Sequence, residues 1–125
     1  MAIVLDAGAL IACERGSPVV LGMLAAAHRG DVRVRISAAV VAQVWRGGPR
    51  QALLARTLKG TTEVSLDPER ARTIGELLRA AGHRDVVDAA VVDVAEEGDT
   101  IITGDPDDIV PLALGSGRTL LIVPI

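Results

Sequence analysis

One cysteine, Cys13, and one aromatic side chain, Trp45, are all that this 125-residue chain has of either kind. A lone thiol forms no intramolecular disulfide and no cysteine-based zinc centre, which suits a reducing compartment. A lone aromatic builds no base-stacking platform of the kind that single-strand binders use, so any nucleic-acid contact must run through backbone charge. Lysine is nearly missing as well, with Lys59 beside twelve arginines. No apolar run reaches the roughly 18 residues of a membrane span, and Met1-Ala2-Ile3-Val4-Leu5-Asp6 opens without a basic leader. The expectation is a cytoplasmic protein with no membrane segment.

Aliphatic residues dominate what is present. Half of the chain is hydrophobic and 23% is charged, in the proportions of one compact domain over residues 1–125 with a single buried core. A domain of this size folds without a metal staple, so a bound metal would serve function. Thirteen basic against sixteen acidic residues give a formal charge of −3, which by itself supplies no field to draw in a polyanion.

Runs rich in Ile, Val and Leu, bounded by turn residues, predict strands at Ala2–Leu5, Val32–Ser37, Thr100–Thr103 and Thr119–Val123, with a weaker one at Thr62–Leu66. Ser17-Pro18, Asp67-Pro68 and Asp105-Pro106 each set a capping oxygen before a proline, and Ser37 can cap as well. Helices are expected over Ala7–Glu14, Ser17–Arg29, Ala38–Arg46, Pro49–Lys59, Pro68–Ala81, Arg84–Glu97 and Pro106–Leu114. Strands that are apolar throughout and alternate with helices imply an α/β three-layer sandwich around a central, mostly parallel five-stranded sheet.

In such a sheet the functional crevice lies beyond the carboxyl ends of the strands. Asp6 stands at one exit and Asp105 at another, with Asp107 and Asp108 just after it. Asp88 falls inside Val86-Val87-Asp88-Ala89-Ala90-Val91-Val92, where an unpaired carboxylate would cost several kcal/mol. No arginine or lysine occupies a strand exit to neutralise these acids. Mg²⁺ or Mn²⁺ would, because hard cations take several converging carboxylate oxygens. With Asp6, Asp88, Asp105 and Asp108 assigned to a cation, the formal charge of the rest becomes +1, and a phosphodiester substrate is compatible with it.

Each acid also has a plainer reading. Asp105 and Asp6 are well placed to cap the helices that follow them, Asp85 and Asp93 suit solvated positions or ion pairs, and Asp107 suits an exposed first turn. Glu14, Glu76, Glu96 and Glu97 read as solvent-facing, His28 and His83 as surface residues, and Cys13 as a small core residue.

The residues resemble the PIN-domain ribonucleases, and among them the VapC-type toxins of bacterial toxin–antitoxin pairs. The resemblance runs through Ile3-Val4-Leu5-Asp6-Ala7-Gly8-Ala9-Leu10, Ile36-Ser37-Ala38 with Val40-Val41-Ala42-Gln43-Val44-Trp45-Arg46-Gly47, Asp88-Ala89-Ala90-Val91-Val92, and Thr103-Gly104-Asp105-Pro106-Asp107-Asp108-Ile109. It implies a metal-dependent endoribonuclease in which Asp6, Asp88 and Asp105 bind Mg²⁺ or Mn²⁺ and Asp108 supports them. Thr103 would stand near the attacking water, and Arg15, Arg46 and Arg50 are candidate phosphate contacts. A cognate antitoxin and a second copy of the chain are the implied partners. Gln43 departs from the pattern, which has a glutamate there. Its neutral amide lowers the expected metal affinity, and it leaves a PIN-like protein that binds RNA or a partner without cleavage as the alternative. Asp6→Asn or Asp105→Asn is expected to abolish cleavage and, by relieving charge crowding, to raise the melting temperature in metal-free buffer.

A phosphoacceptor domain with Asp6 as nucleophile is the rival from another class, but it calls for a lysine near the site, and Lys59 is the only one. A nucleotide-binding loop is disfavoured because Val4-Leu5-Asp6-Ala7-Gly8-Ala9 lacks the glycine spacing.

Overall fold

Local capping chemistry sets most helix starts. In the computed structural model, which describes residues 1–125, Asp6, Ser17, Ser37 and Asp67 each accept a backbone N–H with the side chain, opening α1 (Ala7–Glu14), α2 (Pro18–Arg29), α3 (Ala38–Val44) and α5 (Pro68–Ala81). A short 3₁₀ turn, Pro49–Gln51, leads into α4 (Ala52–Lys59), and α6 (Val86–Val94) and α7 (Pro106–Ser116) complete the helices.

The strands β1 (Ala2–Leu5), β2 (Arg33–Ser37), β3 (Thr62–Val64), β4 (Thr100–Thr103) and β5 (Leu121–Pro124) form one sheet in the order β3-β2-β1-β4-β5, with every pairing parallel. Helices α5, α6 and α7 pack together, while α1 packs on α2, α3 and α4. The architecture is therefore the expected α/β three-layer arrangement. Val4, Leu5, Ile36, Ile101 and Ile102 from the sheet meet Leu10, Val40, Leu54, Val91, Ile109 and Leu112 from the helices in one buried core. No single helix is long and apolar enough to cross a membrane.

The topology places the site. From β1 the chain steps outward through β2 and β3, then returns to lay β4 on the other side of β1. The strand order reverses between β1 and β4, and their carboxyl ends lead into Asp6 and Asp105. That is the switch point where open α/β sheets form a crevice.

Several boundaries differ from the sequence reading. Helix α6 starts at Val86 rather than Arg84, because the Asp85 carboxylate accepts from Asp88 N at 3.0 Å and becomes the cap. It stops at Val94, and Glu96 N turns to donate to Asp99 Oδ2 at 2.8 Å. Helix α7 continues through Pro111 to Ser116 and ends at Gly117, whose φ of 72° lies in the left-handed region. The buried acids away from the crevice are neutralised by arginine. Asp99 accepts from Arg35 at 3.0 Å and from Ala2 N at 2.7 Å, and Asp93 pairs with Arg70 at 2.9 Å. Asp93 is therefore an ion-pair partner and not a solvated residue.

Candidate metal centre

Asp6 is 2% exposed at the exit of β1. Its Oδ1 accepts from Ala9 N at 2.8 Å, capping α1, and its Oδ2 accepts from Thr103 Oγ1 at 2.5 Å. Gly104 N also donates toward the carboxylate, at 3.2 and 3.3 Å. All of these donors are neutral, and no arginine or lysine pairs with Asp6. The close approach depends on glycine. A Cβ on Gly8 would lie 3.0 Å from the Gly104 Cα, and one on Gly104 would lie 3.2 Å from the Gly8 Cα. Small residues on both segments let the start of α1 meet the turn after β4.

Thr103 is fully buried and bridges two acids, since its hydroxyl donates to Asp6 and accepts from Asp105 N at 2.8 Å. Asp105 occupies the cap position of α7 but caps nothing with its side chain. The capping expectation for Asp105 is therefore overturned. A hydrogen bond to Asp108, with some desolvation and the charges of Asp108, Asp107 and Asp6, instead raises its pKa above the usual carboxylate range. The same bond, and then His83, hold the Asp108 carboxyl below that range. The pair is thus shifted in opposite directions, Asp105 upward and Asp108 downward.

Asp88 is half-buried in the first turn of α6 rather than at mid-helix, the second correction to the sequence reading. Burial raises its pKa to about 6, and the charges of Asp85, Asp108, Asp105 and Asp6 add to the effect. Four other acids therefore project negative potential onto this one group. Charge converges here from the ends of β1 and β4 and the starts of α6 and α7, and the basic group paired with one of these acids is a histidine.

That histidine, His83, is not the surface residue that the sequence suggests. Its side chain is 19% exposed, and its Nε2 lies 3.4 Å from Asp108 Oδ1. Gly82, at φ 63°, ends α5 and turns the chain so that His83 enters the crevice. Ligand atoms of His83, Asp88 and Asp108 all lie within 4.8 Å of one another, a spacing suited to one cation. Asp6 and Asp105 stand outside that tight group, so the four expected acids are neighbours without forming one compact ligand set. The only sequence signal for His83 was a ring-bearing residue in a short loop before an acidic cap.

The other candidates lie elsewhere. Gln43 is exposed near the end of α3. Arg15 follows α1 at its carboxyl end, and the loop bearing Arg46 and Arg50 is held there, because Gln51 bonds Glu14 at 3.0 Å and accepts from Arg46 N at 2.8 Å. Eight helical residues separate that end from Asp6, about 12 Å along the axis. The three exposed arginines thus lie at the far end of α1 from Asp6, outside the crevice. Glu14 is an anchor for this loop and not a free surface charge. His28 is exposed and Cys13 is buried, as expected, and burial pushes the thiol up to about 11, which leaves it inert. Lys59 ends α4 just before the start of β3, at the sheet edge opposite Asp6, so it cannot balance a phosphoacceptor there.

The donor chemistry fits a hard divalent cation: carboxylates with no arginine or lysine partner, several of them close together, at a strand switch point. A scan against protein-family models gave no match, and a search of curated proteins gave no significant relative.

Proposed function

We propose that this protein is an Mg²⁺- or Mn²⁺-dependent endoribonuclease of the PIN type, acting in the cytoplasm as the toxin of a type II toxin–antitoxin pair. One contrast carries the reading. The buried acids Asp93 and Asp99 each have an arginine, whereas the equally buried Asp6 has none and faces further acids across the crevice. Neutral donors hold that carboxylate, but no cation of the chain balances its charge or that of the acids it faces, and a bound divalent ion would.

Asp6, Asp88 and Asp105, with Asp108, would hold the ion. When bound, it supplies Lewis acidity to a phosphodiester and lowers the pKa of water. The chain's own groups do the rest. Thr103 and Gly104 N fix the Asp6 carboxylate, so the site is ordered before substrate arrives. Arg15, Arg46 and Arg50 offer positive charge to an RNA backbone that leaves the crevice along α1. The sequence resemblance adds a cognate antitoxin over the acidic pocket and a homodimer as partners.

Gln43 favours a second reading, a PIN-like protein that binds RNA or a partner without cutting, because an amide stands where the resemblance has a glutamate. Incubation with single-stranded RNA separates the two. Cleavage is expected with Mn²⁺ and not with a chelator, and Asp105→Asn is expected to be inactive while binding RNA normally. Cleavage that persists in the chelator or in Asp105→Asn would contradict the proposal, and binding without cleavage under all conditions would favour the second reading.

A further inference from the structure

We infer that His83 is a positioning residue of the cation site, fixing Asp108 through an Nε2–H donor while leaving the ion to the carboxylates. This rests on the metal-dependent reading above. Distance alone would make His83 a ligand, since its ligand atom lies within 4.8 Å of those of Asp88 and Asp108. The hydrogen bonds around the ring argue otherwise. Asp85 N donates to Nδ1 at 3.2 Å, so the lone pair of a neutral imidazole is already in use at that nitrogen. The ring proton therefore sits on Nε2, aimed at Asp108 Oδ1 at 3.4 Å. An N–H in that direction has nothing to give a cation. It holds one oxygen of a carboxylate in place, so that the other can turn to the ion or to Asp105.

Asp85 makes the arrangement rigid. Its backbone N–H sets the tautomer of His83, and its carboxylate accepts from Asp88 N at 3.0 Å. One residue thus orients both the helix turn that carries Asp88 and the ring that holds Asp108. The short loop between Gly82 and α6 becomes a brace between the first turns of α6 and α7. Outer partners of this kind commonly change metal affinity by about 10- to 100-fold.

The test is calorimetric titration of Mn²⁺ into the wild-type chain, His83→Ala and His83→Gln, with thermal melts as a check on folding and pulsed EPR on the bound Mn²⁺. His83→Ala is expected to weaken Mn²⁺ binding about tenfold or more. His83→Gln, whose amide can still donate to Asp108, is expected to recover most of that loss, and the wild-type spectrum is expected to lack coupling to a histidine nitrogen. Unchanged affinity in His83→Ala, a glutamine variant as weak as the alanine one, or a histidine nitrogen coupling would each overturn the inference. If His83→Ala does not fold, the glutamine variant and the wild-type spectrum still decide it. Absence of saturable Mn²⁺ binding in the wild type would instead remove the metal-dependent reading, and this inference with it.

Discussion

Thr103 donates its hydroxyl hydrogen to Asp6 Oδ2 at 2.5 Å while its oxygen accepts from Asp105 N at 2.8 Å. Two acids separated by about a hundred residues of chain are thereby held by one buried side chain. Their geometry is part of the folded scaffold and does not wait for a ligand.

This contact revises what neutralising Asp6 should do. Charge crowding alone would make Asp6→Asn stabilising, but every partner of this carboxylate is a donor. An amide would turn an N–H toward Thr103 or Gly104 and leave a buried donor unmatched, at a cost of about 1–3 kcal/mol. The melting temperature of Asp6→Asn should fall in metal-free buffer, and activity should be lost. A rise in melting temperature would show that charge crowding outweighs the hydrogen bonds.

Asp88 should behave in the opposite way. Its pKa of about 6 in the folded chain lies above the ordinary value of 3.8, so the folded state binds more protons than the unfolded state between those two values. Stability contributed by this group is therefore highest at low pH and declines as pH rises from about 4 to about 6. Asp88→Asn should remove much of that slope and stabilise the metal-free chain at neutral pH by about 1 kcal/mol, a figure reduced for the solvent that screens a half-exposed group. Urea midpoints measured across this pH range, with chelator present, test it. A variant with an unchanged slope would contradict the electrostatic picture.

Gly8→Ala should be destabilising although alanine is the better helix former. The added Cβ would meet the Gly104 Cα at 3.0 Å, and backbone does not yield as a flexible side chain does. A loss of about 1–3 kcal/mol is expected from overpacking. Chemical denaturation reads the loss, and Gly22→Ala, where a Cβ meets nothing within 4 Å, is the control that should be neutral or mildly stabilising.

Gln43→Glu should tighten Mn²⁺ binding, because it adds a negative charge at the position where the resemblance has a glutamate. Calorimetry of the variant beside the wild type checks this. An unchanged affinity would place the exposed end of α3 outside the field of the cation.

Much of the fold was legible because its signals are local. Ser17-Pro18 and Asp67-Pro68 start helices through contacts within four residues, and the strands announce themselves as short aliphatic runs between turns. The acids at the ends of β1 and β4 followed from strand exits alone. What escaped was set by distance in space. Nothing near Asp99 in sequence reveals that Arg35 and Ala2 N will meet it. Asp105-Pro106 has the pattern of a cap, yet its side chain caps nothing and is bonded to Asp108 instead. His83 looked like a polar loop residue, and only the packing of the loop against the first turn of α7 brings it to Asp108. The apolar run around Asp88 suggests a mid-helix position, but α6 starts two residues later than Arg84, at Val86. With Asp85 as the cap, Asp88 becomes a first-turn acid facing the crevice.

Anomalous diffraction from a crystal soaked in Mn²⁺ reaches the central claim most directly, because it locates the ion without reference to any substrate. A strong peak about 2 Å from carboxylate oxygens of Asp88 and at least one of Asp6, Asp105 or Asp108 is the expected result. No peak in the crevice at saturating Mn²⁺, or an arginine swung in to neutralise those oxygens, would contradict it.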